Sequence, residues 1–422
     1  MYQEISKELL AFIECSPSPF HAAAAVKERL IQHGFVEQKE EEHWQLTPGG
    51  RYFTTRNDSS VIAFALPEGE WNGFRIAASH SDSPSFKIKE NPEMEADGRY
   101  IKLNVERYGG MLCAPWFDRP LSVAGRVAVK EGGKITGRLV DVDRDLLLIP
   151  NLAIHMNRQA NEGMTYNAQK DLLPLYGSAA AKGTFFRIIA EAAGVREEEI
   201  IGHDLFLYNR QKGTIWGAKE EFLSSSRLDD LQCAFSTLKG FLAGEKRRYA
   251  AVFCMLDNEE VGSGTRQGAA SPFLKDVLMR ISLSLGGGWE DYLRRVAKSF
   301  LVSADNAHAV HPNYGEKSDP VNHPYLNGGI VLKYSANQKY CTDGLSAAVW
   351  KEICREAGAP LQVFTNRSDM PGGSTLGNIS MSQVAVSAVD IGLPQLAMHS
   401  PYETAGVKDT VYLMQAAKEY FK

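Results

Sequence analysis

Apolar residues recur every three to four positions through ISKELLAFIE (5–14) and FHAAAAVKERLIQHG (20–34), which predicts two helices split by the breaker SPSP. Ser18 can cap the second helix, Pro19 suits its first turn and Gly34 its end. Uninterrupted apolar runs at SSVIAFALP and FRIAASH then predict strands. From about 90 to 215 the pattern changes to short β-type runs, such as YIKLNVE, LSVAGRVAVKE and KITGRLVDV, broken by glycine and charge. After about 220 an α/β rhythm resumes. An amphipathic helix carries Leu228, Leu231, Phe235, Leu238 and Leu242, and strands follow at YAAVFCML, FLVSAD, GIVLKYS and LPQLAMH, with helical patterns at 342–357 and 410–421. The expected fold class is α/β, a discontinuous domain of residues 1–89 and 216–422 with a mostly β domain, 90–215, inserted in it.

Length and composition change this picture little. The 422 residues, 44% hydrophobic and 23% charged, suit a folded chain of two domains. A net charge of -5 and a pI near 6.1, with no block of Lys and Arg, exclude the electrostatic footprint of a nucleic-acid or anionic-lipid binder. The first residues, MYQEISKELLAFIE, mix acids among apolar positions, unlike a signal peptide, and no apolar run approaches a membrane span, so a cytoplasmic location is expected. Cys15, Cys113, Cys233, Cys254, Cys341 and Cys354 form no CxxC pair and read as reduced core fillers.

The chemistry is concentrated where strands end. In open α/β sheets the functional crevice lies beyond the carboxyl ends of the strands. RIAAS runs into His80, VFCMLDN into Glu259 and Glu260, LVSA into Asp305, and PQLAM into His399, while Asp229 in SRLDDL opens the amphipathic helix. Each alone has a bland reading as a surface group or a helix cap. Together, two imidazoles and several carboxylates would be costly to desolvate without cations, and mixed N and O donors suit zinc, with manganese or cobalt alternatives. Because neighbouring side chains diverge, one of Glu259 and Glu260 can bind metal while the other faces a substrate as a free base. Two cations roughly 3.5 to 4 Å apart would activate a bridging water for hydrolysis.

An ordered set of motifs then resembles one family. SHSDSP, YGG with WFDRPLS, NLAIH, SRLDDL, DNEEVGS, SADNAHAVHPNY, SANQKY, SDMPGGSTLG and PQLAMHS, spanning residues 80 to 400, resemble the aspartyl aminopeptidases, two-metal exopeptidases. The resemblance implies a mixed-sheet zinc-peptidase-like domain with helices on both faces. It implies one metal on His80, Asp229 and Asp305, a second on Asp229, Glu260 and His399, Glu259 as general base, Asp82 orienting His80, and a cis peptide between Asp229 and Asp230. It further implies peptide substrates with a free amino terminus, Asp or Glu preferred there. Lys333 and Tyr340 would contact substrate, and His308 would line its wall. A homo-oligomer is implied as well, commonly a dodecamer built from dimers through the inserted domain, with His155 reaching a neighbour's active site. Two other readings remain open: a two-metal aminopeptidase preferring neutral or basic residues, and a non-catalytic assembly protein keeping a metal for stability, against which the presence of Glu259 counts.

Overall fold

The computed structural model describes residues 1–245 and 248–422, which divide into two compact units. The first comprises Met1–Asp82, Gly213–Met398 and Glu403–Lys422; the second comprises Ser83–Lys212 and His399–Tyr402.

A nine-stranded mixed sheet organises the first unit, in the order Val36–Glu37, Arg51–Arg56, Ser60–Ala65, Ala250–Leu256, Phe74–His80, Phe300–Ala304, Ser387–Gly392, Ile330–Tyr334, Leu361–Thr365. Every residue of Ala250–Leu256 is buried, because both faces of its strand are covered. Alternate side chains enter two different cores: Phe253 and Met255 join Leu9, Phe12, Leu30, Phe235, Trp350 and Phe421 on one face, whereas Val252 and Cys254 join Phe273, Val277, Leu278 and Tyr292 on the other. Helices therefore lie on both faces. The helix Leu228–Ala243 buries Leu231, Ala234, Phe235, Leu238 and Phe241, one apolar stripe at helical spacing. Each large side chain so buried contributes roughly 1.5 to 3 kcal/mol. That stripe anchors the helix start, and Asp229 with it.

Phe74–His80 runs parallel to both of its neighbours, Ala250–Leu256 and Phe300–Ala304. Their carboxyl ends consequently open onto the same edge of the sheet. A five-stranded sheet, Thr214–Trp216, Phe222–Ser225, Glu403–Gly406, Pro394–Leu396 and Ala307–His308, also belongs to this unit.

In the second unit, Lys134–Asp141, Leu121–Glu131, Ile200–Asn209, Ser85–Ala96, Tyr100–Tyr108 and Leu175–Ser178 form a six-stranded antiparallel sheet. Its core gathers Phe86, Leu103, Val123 and Leu205 with Phe185 and Ile189 of the helix Phe185–Ala193.

Most periodic segments take the expected form: helices at Tyr2–Glu14 and Pro19–Gln32, the latter with Ser18 as its side-chain cap, and strands at Phe74–His80 and Leu121–Glu131. One reading is corrected. In LPQLAMH only Pro394–Leu396 is extended, and it pairs with Glu403–Gly406 in the five-stranded sheet rather than extending the main one. Ala397 and His399 adopt left-handed backbone angles in the connection that follows, so His399 does not terminate a strand of the main sheet.

Candidate metal centre

Two acids of the centre, Asp230 and Asp82, accept from the backbone of another element. The strand Phe74–His80 ends in a fully buried imidazole, His80. Its backbone N–H donates to Asp230 Oδ2 at 3.0 Å, its Nδ1 lies 3.0 Å from the Asp82 carbonyl oxygen, and its Nε2 lies 3.4 Å from Asp229 Oδ1. With Nδ1–H donated to the carbonyl, Nε2 is the ring nitrogen that faces Asp229 and could turn a lone pair to a cation placed between them. The Asp229–Asp230 peptide is cis, and the Asp229 N–H donates to Glu403 Oε2 at 3.0 Å.

Glu259 and Glu260 do not extend their strand. Asn258 turns the chain into the left-handed region, and Glu259–Val261 forms a single 3-10 turn. Both of its leading N–H groups are gripped by Asp82: Glu259 N donates to Oδ1 and Glu260 N to Oδ2, each at 3.1 Å. The two glutamates are therefore placed by a turn clamped by a carboxylate, and instead of facing apart as strand neighbours would, they bring one carboxylate oxygen each to within 4.8 Å of the other. Asp82 orients His80 through its main-chain carbonyl, while its carboxylate lies 3.5 Å from Nδ1 and secures the turn.

One ligand atom from each of His80, Asp229, Asp230 and Asp305 lies within 4.8 Å of the others, as is true of His80, Glu259 and Glu260. The residue missed in the sequence is Asp230; the doubled acid of SRLDDL was its signal. Electrostatics shows the acids short of positive charge. Burial raises Asp230, with the opposing pull of His80 insufficient to offset burial, Asp305 and Asp229. Burial raises Glu260 likewise, with Asp229 adding to it, and raises Asp305 despite Lys333. Glu259 is pushed up to about 8 by burial, against His80 and with Asp305, Asp82 and Asp229 adding. His80 moves the other way from its own burial: the surrounding acids Asp230, Asp229 and Asp82 raise it well above the usual imidazole range. Clustered carboxylates with one imidazole, buried beyond the reach of solvent, fit a divalent cation, and the N and O donors are those zinc takes.

Lys333, in Ile330–Tyr334, is 3% exposed; its Nζ donates to the Asn306 carbonyl at 2.8 Å and lies 3.9 Å from Asp305 Oδ1. Burial, the largest single influence, would lower it, but Asp305, Tyr340 and Asp390 together outweigh burial and hold it above the ordinary lysine range. Its ammonium sits 5.5 Å over the buried Tyr340 ring, which meets Phe364 edge-on. His308 is exposed and lines a cavity of about 290 Å³ with His311, Phe364, Asn366 and Gln395. In the second unit His155 is exposed in a turn, and the His399 carbonyl accepts from the Leu112 N–H. Among the described residues no helix is long and apolar enough to cross a membrane.

Comparison with known proteins accords with this chemistry. The family model described as aminopeptidase I zinc metalloprotease (M18) matches residues 12–421. A relative named probable M18 family aminopeptidase 2 from Clostridium acetobutylicum is 48% identical over 426 residues, covering 99% of this chain and 98% of the relative. A chain in the cryo-EM structure of the Ape4 and Nbr1 complex superposes with a TM-score of 0.96 at 36% identity, covering 100% of this chain and 86% of that one. The mApe1 dodecamer of S. cerevisiae is similar at a TM-score of 0.87 and 29% identity, covering 100% and 97%.

Proposed function

Because the chain belongs to the aminopeptidase I zinc metalloprotease (M18) family, we propose that it removes amino-terminal residues from peptides, preferring Asp or Glu, at a centre of two divalent cations, most simply zinc. The observation that carries this reading is the buried group His80, Asp229, Asp230 and Asp305, with Glu259 and Glu260 close to the same imidazole. In the proposal His80, Asp229 and Asp305 hold one cation and Asp229, Glu260 and His399 the other, with Asp229 shared; each set joins one imidazole to two carboxylates.

Bound there, the cations would polarise the scissile carbonyl and lower the pKa of a water molecule. Glu259, the glutamate that the proposal leaves without a cation, takes up the proton from the attacking water and passes it to the departing amine. Asp82 supports that step by fixing the Glu259 backbone, so the carboxylate meets the water without reorienting. Lys333, under Tyr340, supplies the positive charge for an acidic side chain, and His308 forms part of the substrate wall.

Assembly completes the proposal. The chain forms a homo-oligomer, a dodecamer built from dimers through residues 90–215, as its likeness to the mApe1 dodecamer suggests. His155 is flanked by exposed Leu152, Ile154 and Met156, apolar side chains that a neighbouring subunit would cover, and it acts in that neighbour's site.

The test is Glu259→Gln, which keeps the shape and loses the proton acceptor. It should retain both cations while turnover falls by about 10²- to 10⁴-fold, and mixing it with His155→Ala subunits should recover part of the activity. Near-parental hydrolysis by Glu259→Gln would reject the base assignment, and no recovery despite verified subunit exchange would reject sharing.

A further inference from the structure

Asp229 and Asp305 reach the centre from unrelated elements, so something must hold each in place against the repulsion of its neighbours. On the Asp229 side this is done by a carboxylate that is not itself in the ligand cluster. Phe222–Ser225 pairs with Glu403–Gly406, setting Ser225 opposite Glu403. The chain then turns at Arg227, in the left-handed region, and returns the Asp229 N–H onto Glu403 Oε2 at 3.0 Å.

The other side of Glu403 is also occupied. Gln395 Nε2 donates to Glu403 Oε1 at 3.5 Å, and Gln395 Oε1 accepts from Asn306 Nδ2 at 2.8 Å. Asn306 Nδ2 donates as well to Gln232 Oε1 at 3.0 Å, and Asn306 directly follows Asp305. Glu403, Gln395, Asn306 and Gln232 are all 2% exposed or less. Burying a carboxylate and three amides is costly unless each makes its bonds, and satisfied networks of this kind fix geometry rather than add stability. The chain of bonds ends at the backbone of one acid and beside the backbone of the other.

We propose that Glu403 is a positioning residue for the reaction: by holding the Asp229 N–H it sets the place of the shared carboxylate, and cation affinity depends on its reach. The inference rests on the metallopeptidase reading above. What matters is the length of the side chain more than its charge. Glu403→Gln keeps an oxygen at the same reach for the Asp229 N–H and replaces the acceptor of the long 3.5 Å contact from Gln395. Glu403→Asp keeps the charge and withdraws the oxygen by one methylene.

The experiment measures zinc affinity by chelator competition, with kcat and KM alongside, on the purified full chain. Glu403→Asp should bind zinc about 10- to 100-fold more weakly and lose kcat with little change in KM, while Glu403→Gln stays within about threefold of the parent. A merely electrostatic role predicts the reverse order, and a mere packing role predicts a lower melting temperature for Glu403→Asp with zinc affinity in the folded protein unchanged. Parental zinc affinity in Glu403→Asp, or equal losses in both variants, would overturn the proposal. Should Glu403→Asp fail to fold, Glu403→Gln decides alone: near-parental affinity supports it and a tenfold loss overturns it. A parent protein that takes up no zinc defeats the metallopeptidase reading itself, an outcome visible before either variant is compared.

Discussion

Two groups of acids in this chain meet opposite fates. In the second unit Asp204 lies between Lys87, at 2.9 Å, and Arg126, at 3.0 Å. Burial pushes its carboxyl up, the two cations pull it down further, and it ends below the ordinary range. In the first unit Asp230, Glu259, Glu260 and Asp305 end above theirs, although His80 and Lys333 are at hand. Burial acts in the same direction in both places; the supply of cationic side chains differs. The fold can place an arginine against an acid where stability is the only demand, and at the strand ends it has not done so. Acids left short of positive charge in a dry site are what a bound cation requires.

The contrast breaks or holds on removing single acids. Asp229→Asn should lower kcat/KM by about 10³-fold in folded protein, because it alters the carboxylate proposed to be shared by both cations; parental activity would remove Asp229 from the centre. Lys333→Met is the intermediate case. An unpaired, desolvated charge costs roughly 1 to 3 kcal/mol, so the parent should favour aspartyl over leucyl peptides by at least about tenfold, and the variant should lose that preference by slowing the aspartyl substrate alone. If both substrates slow in parallel, Lys333 serves Asp305, its neighbour at 3.9 Å, and not the substrate.

The smallest effect is expected at Asp204→Asn, which should leave hydrolysis unchanged and cost about 1 kcal/mol or less of stability, since the pair is partly exposed. The folded-state value of Asp204 lies below the unfolded one. Its contribution is therefore present above the ordinary carboxylate range and is lost as pH falls through its own titration. Melting curves of parent and variant should differ at neutral pH and converge in acid; a constant gap would mean that the asparagine perturbs packing.

The legible part of this molecule was the part written in periodicity. The run Ala250–Leu256, buried throughout, announces a strand covered on both faces, and the strand ends then point to His80, Glu259, Glu260 and Asp305. What stayed hidden depends on contacts distant in sequence. Nothing local shows that Asp82 grips the N–H groups of Glu259 and Glu260, or that Asp230 accepts from His80. The run PQLAM has strand composition, yet pairing with Glu403–Gly406 takes it into a different sheet and bends the chain before His399. Glu403 lies in an unremarked stretch, and only the register Ser225↔Glu403 reveals why it meets Asp229.

The central claim is that the acids at these strand ends are arranged for cations. Elemental analysis of the purified chain, paired with peptide hydrolysis before and after chelation, tests it most directly. Two zinc or equivalent divalent ions per chain, activity lost on chelation and restored by adding the metal back, is the result predicted. Undiminished hydrolysis by protein shown to hold no metal would contradict it.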